Sequence, residues 1–398
     1  MLNPTNKVDR WLLPDGIEEV LPAQAGVLEH LRRAMIDLFE TWGYDYVVPP
    51  MVEFTDSLLT GSGQDIDLLT FKLTDQISGK TMGIRADITP QAARMDAHSL
   101  KREGVNRLCY AGHVMHTKAK SPLGSRAPLK TGVELFGEAG IDADVEIVSL
   151  LLEALSVANI EKQYIDLGHV GIFRALAEAA DLGADQEIAL FKLLQTKSTA
   201  EVSHWLAENV DKPEAREWLE ILPKLAGNIN VIKNARQVFA SAPDEVFVAL
   251  DELEAVHAGV AERFPDAQFY FDLSELRGYH YHTGIVFGAF APGVGNAIAS
   301  GGRYDRIGEA FGRARPATGF DVDLTAICRI QQFNDQRVPG IFAPLADAPQ
   351  LWQKICELRA RGERVICGLS DQLVPFEHQN CDRQLLVSED GSFMLEAL

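Results

Sequence analysis

His280 and His282 are one residue apart, a spacing that on a strand puts both imidazoles on one face, as a metal pair requires. No third ligand accompanies them in the sequence, so hydrogen-bonding roles are the simpler expectation and no metal is expected. His113 and His116 titrate near neutrality and suit acid–base chemistry. Asp87 and Glu134 would supply a carboxylate pair for the same work. Two carboxylates hold an ammonium group equally well and need no reaction to account for them, so no catalytic residue is expected. Gly61-Ser62-Gly63-Gln64 has the glycines of a phosphate cradle but neither its lysine nor its six-residue spacing. The cysteines at 109, 328, 356, 367 and 381 contain no Cys-x-x-Cys pair and read as reduced, mostly buried thiols.

These residues need a scaffold. Leu28, Leu31, Met35, Leu38 and Phe39 share one face of a helix over 25–42, which Gly43 is placed to end. Tyr44–Val48 and Thr81–Arg85 read as strands. Thr89 and Pro90 are suited to cap and open the next helix. Val145, Val148, Leu151, Leu152 and Leu155 mark another helix after the acidic start at Asp142–Asp144. Residues 170–262, rich in Ala, Leu and Glu and broken at Pro213, Pro223 and Pro243, read as a helical insertion. Strand patterns return at Phe269–Leu273 and Tyr279–Phe287. A short α/β tail follows, with strands at Val338–Phe342 and Arg364–Leu369, a helix at Pro349–Arg361, and a hairpin joining Gln384–Ser388 to Ser392–Leu395 around Asp390-Gly391.

Composition narrows the function. With 398 residues and 46% hydrophobic content the chain can bury a large core divided into domains. Its formal charge of −20 argues against a nucleic-acid partner, whose phosphates call for a basic face. No apolar run reaches membrane-spanning length and no leader pattern opens the sequence, so a cytoplasmic protein is expected.

Several runs, in order, resemble the class II aminoacyl-tRNA synthetases and histidyl-tRNA synthetase in particular. The helix over 25–42 with its strand and Pro49-Pro50 is similar to motif 1, which in that family forms the dimer interface. Arg107–Lys118 with Thr131–Gly137 is similar to motif 2, and Ala317–Ala326 to motif 3. Arg85-Ala86-Asp87-Ile88-Thr89, Glu134, Leu276–Phe287 and Gly301-Gly302-Arg303-Tyr304-Asp305 match the family's histidine-recognition segments. The resemblance implies an α+β fold, a class II synthetase-like antiparallel sheet flanked by helices. It would comprise a core over 1–325 that contains the helical insertion and a small C-terminal α/β domain over 331–398. It also implies a histidine-binding set of Asp87, Thr89, Lys130, Glu134, Arg277, Tyr281 and His282. A carboxylate facing an ammonium group there would be worth roughly 1.5–3 kcal/mol.

The departures point elsewhere. Where motif 2 of the family has Arg-x-Glu this chain has His116-Thr117-Lys118, and the Glu-Arg pair of motif 3 is Thr325-Ala326. An imidazole or a methyl group does not replace a planar guanidinium on a triphosphate. Lys130 replaces a glutamine, shares a strand face with Glu134, and is expected to pair with it. Residues 331–398 hold 6 basic and 10 acidic side chains, the wrong sign for binding tRNA. A synthetase-like body so altered resembles the regulatory subunit of ATP phosphoribosyltransferase. That family implies a short-form catalytic partner, a hetero-octamer, self-association through motif 1 and possible feedback inhibition by histidine. It implies no cofactor and no catalysis by this chain. The alternative is a histidine-binding protein of the synthetase type that does not charge tRNA.

Overall fold

The computed structural model describes residues 11–61, 64–119, 121, 124–279, 281–293, 295–331, 338–345, 349–369, 380–388 and 392–398. In chain order the first elements are α1 (Pro22–Thr41), β1 (Asp45–Tyr46), β2 (Val52–Phe54), α2 (Thr55–Leu58), α3 (Gln64–Leu69), β3 (Phe71–Thr74), β4 (Thr81–Ile84) and α4 (Thr89–Arg94). The sheet begins in earnest with β5 (Asn106–His113) and β6 (Leu129–Phe136), followed by α5 (Ile141–Val157) and β7 (Tyr164–His169). Then come α6 (Val170–Ala179), α7 (Ala184–Gln195), α8 (Thr199–Asn209), α9 (Pro213–Ile221), β8 (Ala226–Gly227), α10 (Asn230–Val238) and α11 (Asp244–Arg263). The core closes with β9 (Gln268–Asp272), β10 (Ile285–Phe290), β11 (Ala299–Arg303), β12 (Ala317–Asp323) and α12 (Leu324–Ile330).

Nine strands form one sheet in the order β1-β5-β6-β12-β11-β10-β7-β9-β8. It is antiparallel except where β1 joins β5 and β7 joins β9. One face is covered by α1, α5 and α11. Phe39 of α1 meets Phe320 of β12 edge to face at 5.9 Å, and Leu150, Leu151 and Leu155 of α5 are fully buried. The opposite face carries the site. There Ile88, Ala92, Leu108, Tyr110, Phe136, Tyr304 and Ala317 form an apolar cluster beside it. A second, three-stranded sheet, β2-β4-β3, lies before α4. Of the helices over 170–263, α6 and α11 pack directly on α5 or the central strands, so both belong to the layer behind the sheet.

Three local expectations change. Only Asp45–Tyr46 pairs in the stretch read as a strand over Tyr44–Val48, because Pro49-Pro50 cannot extend the ladder. Residues 277–279 turn, 282 and 283 have no regular structure, and the strand begins at Ile285, so His282 is not on a strand face; His280 lies outside the described residues. Thr89 is the first helical residue of α4 and does not cap it. The cap position is Ile88, which has no side-chain cap; Asp87, one residue earlier, accepts from the Thr89 N–H through Oδ1 at 3.1 Å.

Contacts divide the chain into residues 1–20 with 28–331 and residues 21–27 with 332–398. In the second unit β13 (Gly340–Ala343), α13 (Pro349–Ala360), β14 (Val365–Cys367), β15 (Cys381–Val387) and β16 (Phe393–Ala397) form a four-stranded sheet in the order β14-β13-β15-β16. Ile341, Leu351, Ile355, Leu358 and Leu385 make its core. The expected hairpin pairs Gln384 with Glu396 and Val387 with Phe393; its Asp390-Gly391 turn lies outside the described residues. All five cysteines are unbridged.

Candidate functional site

Register aligns the polar side chains. Tyr110, Gly132, Asp321, Ser300, Gly288 and Asp166 lie in one row across the sheet. Leu108, Glu134, Gly319, Gly302, Val286 and Gly168 form the next row. The rows are two residues apart along each strand and so share a face. Glycines let large groups lie flat on this floor. A Cβ at Gly319 would overlap the Glu134 carboxylate, one at Gly132 the Tyr110 hydroxyl, one at Gly302 the His282 ring and one at Gly288 the Arg277 guanidinium.

Glu134 is the hub. Its Oε1 accepts from Thr89 Oγ1 at 2.7 Å and from Tyr110 OH at 3.0 Å, and its Oε2 accepts from Tyr304 OH. Burial outweighs these three donors and pushes its carboxyl up to about 8, with Asp87 adding to the rise. Asp87, half-buried at the start of α4, places its negative charge on Tyr110, Lys130 and Tyr281 as well. The Tyr281 ring packs against His282 at 4.2 Å, tilted by 31°, and stands 5.7 Å from Tyr304. His282 donates from Nδ1 to the Arg303 carbonyl at 3.2 Å. Burial lowers its imidazole to about 4, so it is neutral and fills space beside the cleft.

Lys130 does not pair with Glu134. Its Nζ lies 2.5 Å from Asp321 Oδ1 instead. The reason is register: Gly132, two residues along from Lys130, faces Asp321 on β12. Glu134 lies two rows from Lys130 and is already enclosed by hydroxyls. Arg277 stands over Gly288, three strands from Glu134, with its guanidinium 5.8 Å from the Phe290 ring and 3.5 Å from Glu275 Oε2. The structure therefore gathers Asp87, Thr89, Glu134 and Tyr281 into one cleft, with Lys130 neutralised at its edge and Arg277 farther along the sheet. Sequence reasoning missed Tyr110, Tyr304 and Asp321. The tyrosines stand in runs quoted for the resemblance. Asp321 has no local signal, since its lysine is 191 residues away.

The altered positions of motifs 2 and 3 carry structural bonds. His116 is buried, with Nε2 3.0 Å from the Ala86 carbonyl. Thr325 Oγ1 accepts from the Leu129 N–H at 2.9 Å, joining α12 to the start of β6. Two nearby guanidinium groups are committed to main-chain oxygens, Arg85 to His113 and Pro49, and Arg126 to His116 and Asp15. Among the described residues no group of three or more metal-ligating side chains occurs.

Residues 16–327 match the family model described as histidyl-tRNA synthetase, and residues 338–396 match the C-terminal domain of ATP phosphoribosyltransferase subunit HisZ. The chain is 63% identical over 394 residues to the ATP phosphoribosyltransferase regulatory subunit of Teredinibacter turnerae, covering 99% of this chain and 100% of that one. The chain belongs to the ATP phosphoribosyltransferase regulatory subunit family. The fold of this family is that of the synthetase. An ATP phosphoribosyltransferase regulatory subunit/histidyl-tRNA synthetase from Bacillus halodurans superposes with a TM-score of 0.82 at 25% identity, over 93% of this chain and 95% of that one. Histidyl-tRNA synthetase from Nostoc shares the fold at a TM-score of 0.77 and 19% identity, over 97% of each chain. The expected α+β class II architecture is what the regulatory subunit family has here, and no helix among the described residues is long and apolar enough to cross a membrane.

Proposed function

We propose that this chain is the non-catalytic, regulatory component of ATP phosphoribosyltransferase in the first step of histidine biosynthesis. It activates a short-form catalytic subunit and carries histidine as effector in the cleft over Glu134. The reading is supported by a cleft that gathers Asp87 and Glu134 while positions 116 and 326, which the resemblance assigns to nucleotide-clamping arginines, hold histidine and alanine. Asp87 and Glu134 receive the ammonium group, Thr89, Tyr110 and Tyr304 fix the Glu134 carboxylate, and Tyr281 and His282 wall the side-chain end. Arg277 meets the ligand carboxylate once it leaves Glu275. A ligand held this way is not consumed, and it shifts the assembly by binding its two states unequally. Self-association through the motif 1 region, toward a hetero-octamer, is part of the proposal. It is supported by the exposed Tyr46, Val48, Met51, Val52 and Phe54.

Mixing tests it. Purified chain added to a short-form catalytic subunit should raise ATP- and PRPP-dependent product formation, and histidine should lower it. Glu134→Ala or Arg277→Ala should blunt histidine sensitivity more than activation. No activation on mixing rejects the regulatory role, and a clear histidine-dependent ATP–pyrophosphate exchange restores the synthetase.

A further inference from the structure

The Arg277 guanidinium stands over Gly288, and strand pairing sets that glycine directly beside Asp166 of β7, on the same face of the sheet. β7 lies on the side of β10 away from Glu134, so Asp166 sits behind the guanidinium as seen from the cleft. Its Oδ1 is buried and has no hydrogen-bond partner among the described residues. Burial, with the charges of Glu275 and Asp272 nearby, raises its carboxyl to about 7, while the charges of Arg277 and Lys197 act the other way. The neighbours are otherwise engaged. Lys197 Nζ is held by Asp272 and by Ser274 Oγ at 3.0 Å. Glu275 Oε1 accepts from the Arg277 main-chain N–H at 2.8 Å, and its Oε2 is 3.5 Å from the guanidinium, beyond the ordinary N–H···O range. Arg277 is thus weakly held, between one carboxylate that already serves its main chain and another with an oxygen to spare.

Buried polar atoms in folded proteins are hydrogen-bonded, and a guanidinium carries five donors in one rigid plane. One edge of that plane can bind a carboxylate behind it while another edge faces forward. We propose that Asp166 is a positioning residue for Arg277: it takes the rear edge of the guanidinium when Arg277 leaves Glu275, and so presents the front edge to the carboxylate of the bound amino acid. Asp166 touches no ligand itself. It acts by holding a long, mobile side chain in the orientation that binding needs, which lowers the entropy lost when the ligand arrives. The inference deepens the effector reading and rests on it.

The test is calorimetric titration of the full chain with histidine and with histamine, which keeps the imidazole and the ammonium group but has no carboxylate. Asp166→Asn should weaken histidine about tenfold and leave histamine unchanged. A merely structural role would weaken both. Should Asp166→Asn not fold, Asp166→Glu, which keeps the charge but moves it by one methylene, should show the same selective loss. In an Arg277→Ala background either substitution should cost histidine nothing further, because the group it positions is gone. Histidine affinity unchanged in the variant, a loss shared by histamine, or the same tenfold loss without the Arg277 side chain would overturn the inference while leaving the effector reading intact. A parent chain that binds no histidine would defeat the effector reading, and this inference with it.

Discussion

At Glu134 burial and hydrogen bonding pull the proton in opposite directions. Three hydroxyls favour the carboxylate, while desolvation and Asp87 favour the acid, and the balance lies at about 8. Because this value is raised above the unfolded one of about 4.5, the associated stability is complete below about pH 4.5 and is lost as pH rises through 8. Asp166, raised to about 7 mainly by burial, contributes with the same sign. Differential scanning calorimetry of the unliganded chain should therefore show Tm falling between about pH 5 and 8, and Glu134→Gln should make that fall shallower. An identical slope in the variant would mean that the carboxyl titrates as it does in water. An ammonium ligand would draw Glu134 to its ionised form, so histidine binding at pH 7 should release protons. Glu134 was legible in the sequence because it sits in a recognisable run. Its partner hydroxyls were not assigned roles there, since which tyrosine reaches it depends on three strands being adjacent.

Strand register decides what the cleft can hold. Gly319 faces Glu134 across the β6–β12 ladder, and a Cβ there would meet both the carboxylate and the Val133 carbonyl. Gly319→Ala should cost about 1–3 kcal/mol through overpacking, measured by urea denaturation, and should displace the Glu134 side chain. Wild-type stability with unchanged histidine affinity would show that the sheet relaxes around the methyl group. The same register explains the failed Lys130–Glu134 expectation. An even spacing puts two residues on one face but does not name the nearest opposite charge, which here comes from the neighbouring strand at Asp321. Likewise, within the β-rich run at Tyr279–Phe287 the strand starts only at Ile285, the described residues before it being turned or irregular.

Across the molecule, the run from Tyr46 to Phe54 leaves Val48 72% and Phe54 41% exposed in the isolated chain. Isolated surface apolar residues are ordinary; five within one short segment are what the proposed self-association would cover. Sedimentation velocity should show the chain as a dimer or larger, and Val48→Glu with Val52→Glu should shift it toward monomer while leaving its circular dichroism unchanged. A monomeric parent, or a variant that sediments like the parent, would remove this region from the interface. The charge of −20 sets the context: association must rest on apolar contact or on a partner with basic surface, since like-charged copies repel.

The sequence by itself determined the synthetase-like architecture, the amphipathic helices and the α/β tail. Each is written in local periodicity, turn residues and ordered runs that need no knowledge of distant neighbours. It also gave the residue types at 116 and 325–326, His, Thr and Ala, which are visible without a structure. Only the tertiary structure decided that Lys130 belongs to Asp321, that Tyr110 and Tyr304 close on Glu134, and that Arg303 is held by Asp144. Those facts depend on strands and helices tens to nearly two hundred residues apart being brought within hydrogen-bond distance, which packing and register fix and local spacing does not.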